Sequence, residues 1–335
     1  GLFIGNFMPG FADWMKEAVR PELYVKTAIV ILGGFLGVTA AEKLSLATSL
    51  MFIGFAAIIC AYLIFWSVVY YVARSWFKFS REWAAPLASG ISICGVSAAI
   101  ATGAAIRARP VVAIMVSSLV VIFAVVELLF LPFVAQLYLS HEPLVAGAWM
   151  ALSVKTDGAA VASGAITESL ILARNAAEGV NYAKGWILGT AATVKVFIDI
   201  FIGVWAFVLA YVWTTRIERR EGDQVRAGEI WERFPKFVIG YVVTFALVLL
   251  VALGATPETM GKLKAAMGQA NTFRGIFFVL TFFTIGVMTN FRKLWEEGIG
   301  KLAAVYLVCL FGFIIWVGLV IAWLFYAGVK PPLAG

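Results

Sequence analysis

Ser92-Ile-Cys-Gly-Val-Ser-Ala-Ala-Ile-Ala-Thr-Gly103 and Ser153-Val-Lys-Thr-Asp-Gly-Ala-Ala-Val-Ala-Ser-Gly164 align without a gap at an offset of 61 positions. Ser92 matches Ser153, Ala98-Ala99 match Ala159-Ala160, Thr102 matches Ser163 and Gly103 matches Gly164. Between these anchors Cys94-Gly-Val-Ser97 faces Lys155-Thr-Asp-Gly158. Small polar residues and glycines inside an apolar run interrupt a membrane helix, and irregular backbone survives at membrane depth only where protein or a wet cavity surrounds it. A pair of interruptions in related segments marks the binding site of a membrane carrier.

The rest of the chain supplies that setting. Its 335 residues are 62% hydrophobic and 13% charged, with a mean hydropathy of +0.95. This composition excludes a soluble globular domain and implies a polytopic membrane protein. Twelve Trp and ten Tyr suit interfacial belts, and the formal charge of +7 falls in short loops, where it sets orientation and does not point to nucleic acid. Nothing shows the alternation of a β-barrel, so the expected fold class is all-α.

Taken in order, Gly1-Leu-Phe-Ile-Gly-Asn-Phe-Met-Pro9 reads as the tail of an apolar segment already in progress, which implies upstream helices. Residues 1–22 then form an interfacial segment, with Trp14, Lys16, Val19 and Arg20 on an amphipathic piece. Residues 23–213 form a first helical bundle. It holds spans at 23–41 and 46–73 joined by the linker Glu42-Lys43, a basic loop from Arg74 to Arg81, and a first interrupted element at 84–106. A span at 110–139, a second interrupted element at 143–173 and a span at 186–213 complete it. Residues 214–236 read as a polar cytoplasmic loop, and 237–335 as C-terminal helices with spans at 237–254, 273–291 and 301–327. Residues 255–271 are expected to be an external loop with a partly amphipathic helix, and Arg292 and Lys293 lie inside. The total is about nine membrane-embedded segments of at least ~18 mostly apolar residues.

Arg107 and Arg109 give the first interrupted element basic residues on both flanks, which suits a re-entrant hairpin. A hairpin there makes the second a hairpin from the opposite face, so the repeats are inverted. Two broken helices that cross give the same sidedness downstream, and charge does not choose between them.

An interrupted helix exposes amide groups at the start of its second half, and these attract anions together with the helix dipole. The candidate substrate-binding set is therefore Ser92, Cys94, Gly95, Ser97, Ser153, Lys155, Thr156, Asp157 and Gly158, with Thr102 adding a hydroxyl. Small residues here also permit close helix packing; the doubled pattern, broken differently in each copy, favours a site. Lys155 and Asp157 can pair with each other. Lys195 and Asp199, four apart on one helix face, are either a structural ion pair or part of coupling. Glu127, in mid-span, is the candidate proton-carrying carboxylate.

Cys60 and Cys309 read as buried small hydrophobes, and Cys94 as at least a small turn residue. His141 lies at a helix end beside Glu142-Pro143 without the companions of a metal cage. No nucleophile, phosphate loop or metal-ligand pattern appears, so neither an enzyme nor a cofactor or metal is expected.

Ser89-Gly-Ile-Ser-Ile-Cys-Gly-Val-Ser-Ala-Ala-Ile-Ala101 resembles the signature of the YeiH-type sulfate exporter family of bacterial inner-membrane proteins. Ile4-Gly-Asn-Phe-Met-Pro9, Leu23-Tyr-Val-Lys-Thr-Ala-Ile-Val-Ile-Leu-Gly33, Thr193-Val-Lys195 and Gly286-Val-Met-Thr-Asn-Phe-Arg292 agree in order and spacing. The resemblance covers nearly the whole chain and implies a multi-pass secondary transporter with inverted repeats for sulfate, sulfite or a small organosulfonate. There are departures. Where the family has Ser-x-His-acidic-x-Ala-Gln, this chain has Lys155 for the His and lacks the Gln, and the basic residue three after the span lysine is Ile198. A substrate different from that of the family's better known branches is therefore consistent with the resemblance.

The leading expectation is a carrier of a small anion held where the two breaks meet, with Lys155 and Lys195 supplying countercharge and a proton or sodium ion as the coupling partner. An anion channel and a non-transporting scaffold or sensor are the alternatives. The lipid bilayer is a partner in each reading, and homo-oligomers fit all three.

Overall fold

The computed structural model describes residues 1–15, 21–44, 48–217, 236–288, 292 and 299–333. Lys16, Val19, Arg20 and Lys293, and the polar loop over 218–235, lie outside the described residues.

Apolar runs become helices because a chain that sheds water must satisfy every backbone N–H and C=O within itself. In order these are α1 (Leu2–Phe7), α2 (Pro9–Met15), α3 (Pro21–Leu44), α4 (Thr48–Tyr71), α5 (Arg81–Ser92), α6 (Val96–Ala105), α7 (Pro110–Tyr138), α8 (Pro143–Ser153), α9 (Asp157–Ala177) and α10 (Trp186–Val212). They continue with α11 (Lys236–Leu253), α12 (Pro257–Met288) and α13 (Ile299–Tyr326), the last carrying a π turn at Leu310–Ile314. Among the described residues four helices, Phe52–Trp76, Pro110–Tyr138, Trp186–Ile217 and Ile299–Tyr326, are long and apolar enough to cross a bilayer. Ile122, Val125, Val126, Leu129, Phe130, Phe133 and Leu137 form an exposed apolar face along α7, a surface suited to lipid and costly in water.

Three expectations are corrected. Residues 257–271 are not a loop: they are the first turns of a continuous 32-residue α12. Thr256 Oγ1 accepts the Thr259 amide at 3.3 Å, Pro257 opens the helix, and Glu258 pairs with Lys262 one turn on at 2.7 Å. Glu42-Lys43 is not a linker, since α3 runs on to Leu44. Cys60 is exposed on α4, not buried, because an apolar face in such a chain can point to lipid as well as inward.

The chain winds between two compact units, the first being Gly1–Met51, Ala104–Ser118 and Gly203–Ile299, and the second Phe52–Gly103, Leu119–Ile202 and Gly300–Gly335. In the first, α3 packs on α11 and α12. Gly37 makes the approach to α11 close, since a Cβ there would stand 2.7 Å from the Phe245 carbonyl oxygen and 2.9 Å from the Leu249 nitrogen. Thr244 Oγ1 bonds across to the Val30 carbonyl oxygen at 2.8 Å.

The second unit is organised by two helical hairpins. Thr102 Oγ1 on α6 donates to Ser89 Oγ on α5 at 2.7 Å. In one straight helix these residues, thirteen apart, would be separated by about 20 Å, so α5 and α6 fold back on each other. Likewise Gly147 of α8 abuts Ile187, and Gly164 of α9 abuts Leu188 and Ala191, all within the first two turns of α10. The alternative of two crossing broken helices is thereby excluded.

The helix boundaries repeat the sequence register. α5 ends at Ser92 and α8 at Ser153; α6 begins at Val96 and α9 at Asp157, each pair 61 apart. Hairpin α5/α6 leads into the start of α7 and hairpin α8/α9 leaves from its end. Their tips reach its middle, at Val120 and Glu127 respectively. The hairpins therefore enter from opposite ends of α7, as inverted repeats do.

Candidate functional site

The tips are residues 93–95 and 154–156. Each break is one or two residues earlier than the polar residues suggest, because helix-starting chemistry takes the later ones. Thr156, with extended backbone (φ −114°, ψ 146°), caps α9 by accepting the Ala159 amide, and Asp157 places a carboxylate in the first turn. Ser97, Asp157 and Gly158 thus belong to the second half-helices rather than to unwound chain.

Gly95 has φ +71°, a left-handed conformation that glycine adopts without steric cost. A Cβ there would also run into Val120 and stand 2.7 Å from the Lys155 carbonyl oxygen, so the two tips touch at this point.

Lys195 of α10 reaches both tips. Its Nζ donates to the Ile93 carbonyl oxygen at 3.1 Å and to the Val154 carbonyl oxygen at 3.2 Å. Besides standing four residues from Asp199 on one helix, the ammonium is thus drawn to carbonyls at the ends of α5 and α8. The pairing of Lys155 with Asp157 is corrected. Lys155 Nζ turns back to the Leu152 carbonyl oxygen at the end of its own half-helix and lies 5.1 Å over the Phe65 ring.

Glu127, with no exposed surface, is more than a lone mid-span carboxylate: its Oε2 accepts the backbone N–H of Lys155 at 3.0 Å. Tyr306 of α13 lies beside it and stacks on Phe123, one turn earlier on α7, at 4.5 Å between ring centroids. Also at the tips, the Cys94 thiol, Asp157 and Asp199 bring one ligand atom each within 4.8 Å of one another. Ser97 adjoins Cys94.

Ser92 and Ser153, the repeat-equivalent last residues of α5 and α8, are both buried, and neither hydroxyl has a hydrogen-bond partner among the described residues. Thr102 is committed to Ser89, whose hydroxyl also accepts from Trp66 Nε1 at 3.0 Å. Thr156 and Asp157 are half-buried and Gly158 is exposed, which gives the tip region an open side. His141 lies outside the site, its side chain mostly exposed 3.9 Å from Glu178.

Phe65, Ser89, Tyr306 and Glu168 were not among the residues expected to matter. Glu168 is the clearest omission. Its carboxylate accepts the amides of Gly185, Ile187 and Leu188 at 2.9, 3.0 and 3.1 Å, capping α10 and so fixing the helix that carries Lys195. A single glutamate on an otherwise ordinary helix offers no local signal of this, since the amides it meets lie seventeen to twenty positions away.

Fold and site together define a polytopic helical membrane protein built on two opposed, inverted-repeat hairpins whose tips meet beside buried charges. Comparison with known proteins gives the family: the chain belongs to the one described as Conserved hypothetical protein 698, whose model matches residues 1–305. The YeiH-type resemblance fits this family. The chain is 47% identical over 337 residues to UPF0324 membrane protein NE0724 of Nitrosomonas europaea, covering 99% of this chain and 68% of that one. It is 33% identical over 318 residues to UPF0324 membrane protein RB9488 of Rhodopirellula baltica, covering 92% of this chain and 53% of the relative. An uncharacterized protein of Archaeoglobus fulgidus is 52% identical over 165 residues, 44% of this chain and 88% of its own. No solved structure matches the chain.

Proposed function

We propose that this protein is a secondary transporter of a small anion, of the sulfate, sulfite or small organosulfonate class, which crosses the bacterial inner membrane held between the two hairpin tips. The observation that carries this reading is the pair Ser92 and Ser153, equivalent in the repeat, both buried and both without a hydrogen-bond partner among the described residues. A buried hydroxyl left unsatisfied costs about 1–3 kcal/mol. Two such costs at matched positions are accounted for if a guest supplies the missing bonds.

Other features support the same reading. The amide ends of α6 and α9 add donors and the positive ends of two helix dipoles. Lys155 brings a buried amino group to the second tip. Glu127, buried in mid-span and bonded to the second tip, is the carboxylate placed to carry a coupling proton, and a sodium ion is the other candidate for the coupling partner. Opposed hairpins that meet at one point suit alternating access, because each can rock away from a shared site.

A thermal-shift screen of the purified protein tests this reading, since a ligand bound by the folded state alone raises its melting temperature. Sulfate, sulfite or a sulfonate should stabilise it in a saturable manner. Stabilisation by cations or neutral solutes alone would contradict it. In proteoliposomes, uptake that rises linearly with concentration and ignores the coupling ion would support a channel instead.

A further inference from the structure

We propose that the Lys195 ammonium is a built-in cation, seated between the C-terminal ends of two half-helices, that joins the hairpin tips where an inorganic cation would otherwise be needed. Its two acceptors are not arbitrary carbonyls. Ile93 follows the last residue of α5 and Val154 follows the last residue of α8, so the acceptors are repeat equivalents, 61 positions apart. One nitrogen therefore lies where the two repeats present the same group.

The chemistry of that place is cationic. The last carbonyls of a helix lack intrahelical partners and carry the negative end of its dipole. Ile93 (ψ −109°) and Val154 (ψ 124°) turn their carbonyls out of the helical direction onto one nitrogen just past those ends, and broken-helix carriers use paired ends and unwound carbonyls in this way to coordinate cations. An ordinary lysine cap serves one helix from its own last turn. Lys195 comes from a third helix, is 2% exposed, and serves two half-helices from different hairpins. Removing it leaves two sets of buried carbonyls facing each other with nothing between them.

The role is that of a positioning residue, and it rests on reading the tips as the working centre. Its test measures stability and not flux, so the two ideas fail separately. The full chain, purified in detergent, is melted in methylammonium chloride and in tetramethylammonium chloride at equal ionic strength. Wild type should melt alike in both. Lys195→Ala should melt lower and recover more than half of the loss in methylammonium, whose N–H groups can reach both carbonyls, but not in tetramethylammonium, which has none. Lys195→Met, which refills the space without a donor, should stay low in both salts.

Lys195→Gln covers the case in which the alanine protein does not fold. It retains N–H donors and should melt, or be recovered from membranes, between wild type and Lys195→Met. A Lys195→Ala protein as stable as wild type, a loss that the two salts repair equally or not at all, or a glutamine variant no better than methionine would each overturn the proposal.

Discussion

The backbone N–H of Lys155 donates to Glu127 Oε2 at 3.0 Å, so a carboxylate midway along α7 holds the tip of the second hairpin by its main chain. A hydrogen bond to a charged group contributes about 1.5–3 kcal/mol, and a buried donor left unsatisfied forfeits a similar amount. Glu127→Gln keeps an acceptor and should cost about 1 kcal/mol, whereas Glu127→Ala should cost about 3 kcal/mol because it strands the amide and opens space. Denaturant titration of the two purified variants reads the difference. Equal losses would show that charge, and not the bond to the tip, is what matters.

The first tip depends on Gly95, whose left-handed backbone and contact with Lys155 both exclude a side chain. Gly95→Ala should cost at least about 2 kcal/mol from backbone strain and overlap together. Gly158 offers the internal comparison, since it lies in the first turn of α9 with open space around it. Gly158→Ala should be neutral or stabilising by up to about 1 kcal/mol. Melting curves that rank the two variants the other way round would mean that the tips are not packed as described.

Much of this was legible in the residues. The offset of 61 made the two breaks equivalent, since Ser92 and Ser153 end their half-helices and Val96 and Asp157 begin theirs, although each break falls one or two residues before the polar run that signalled it. The basic flanks at Arg107 and Arg109 favoured a hairpin without excluding a crossing. What settled it was the bond between Thr102 and Ser89, a side-chain contact that no periodicity reports. The reach of Lys195 was hidden for a related reason. Spacing along one helix shows Asp199 beside Lys195, whereas the carbonyls that its ammonium reaches come from 41 and 102 positions away. The extent of α12 was obscured by its polar first turns, where Lys262 and Glu258 support a helix that hydropathy alone reads as a loop.

Glu168 should matter to the tips without touching them. It satisfies three amides at the start of α10, two turns before the lysine that joins both hairpins. Glu168→Ala should destabilise the protein by about 2–3 kcal/mol, and Glu168→Gln by about half as much, because the amide oxygen still accepts while the charge is lost. Hydrogen exchange at Gly185 to Leu188 checks the cause: those amides should exchange faster in the alanine variant. Unchanged protection there would show that the cap does not hold α10.

The most direct test of the central claim is calorimetric titration of sulfate or methanesulfonate into the purified wild type, Ser92→Ala, Ser153→Ala and the double variant. The account predicts that each single change leaves stability nearly unaltered, since neither hydroxyl has a protein partner to lose, while weakening the anion by about tenfold, roughly 1.4 kcal/mol apiece. The double variant should bind weakest of the four. A double variant that binds the anion as tightly as wild type would contradict the account, because the guest would then lie somewhere other than between the two tips.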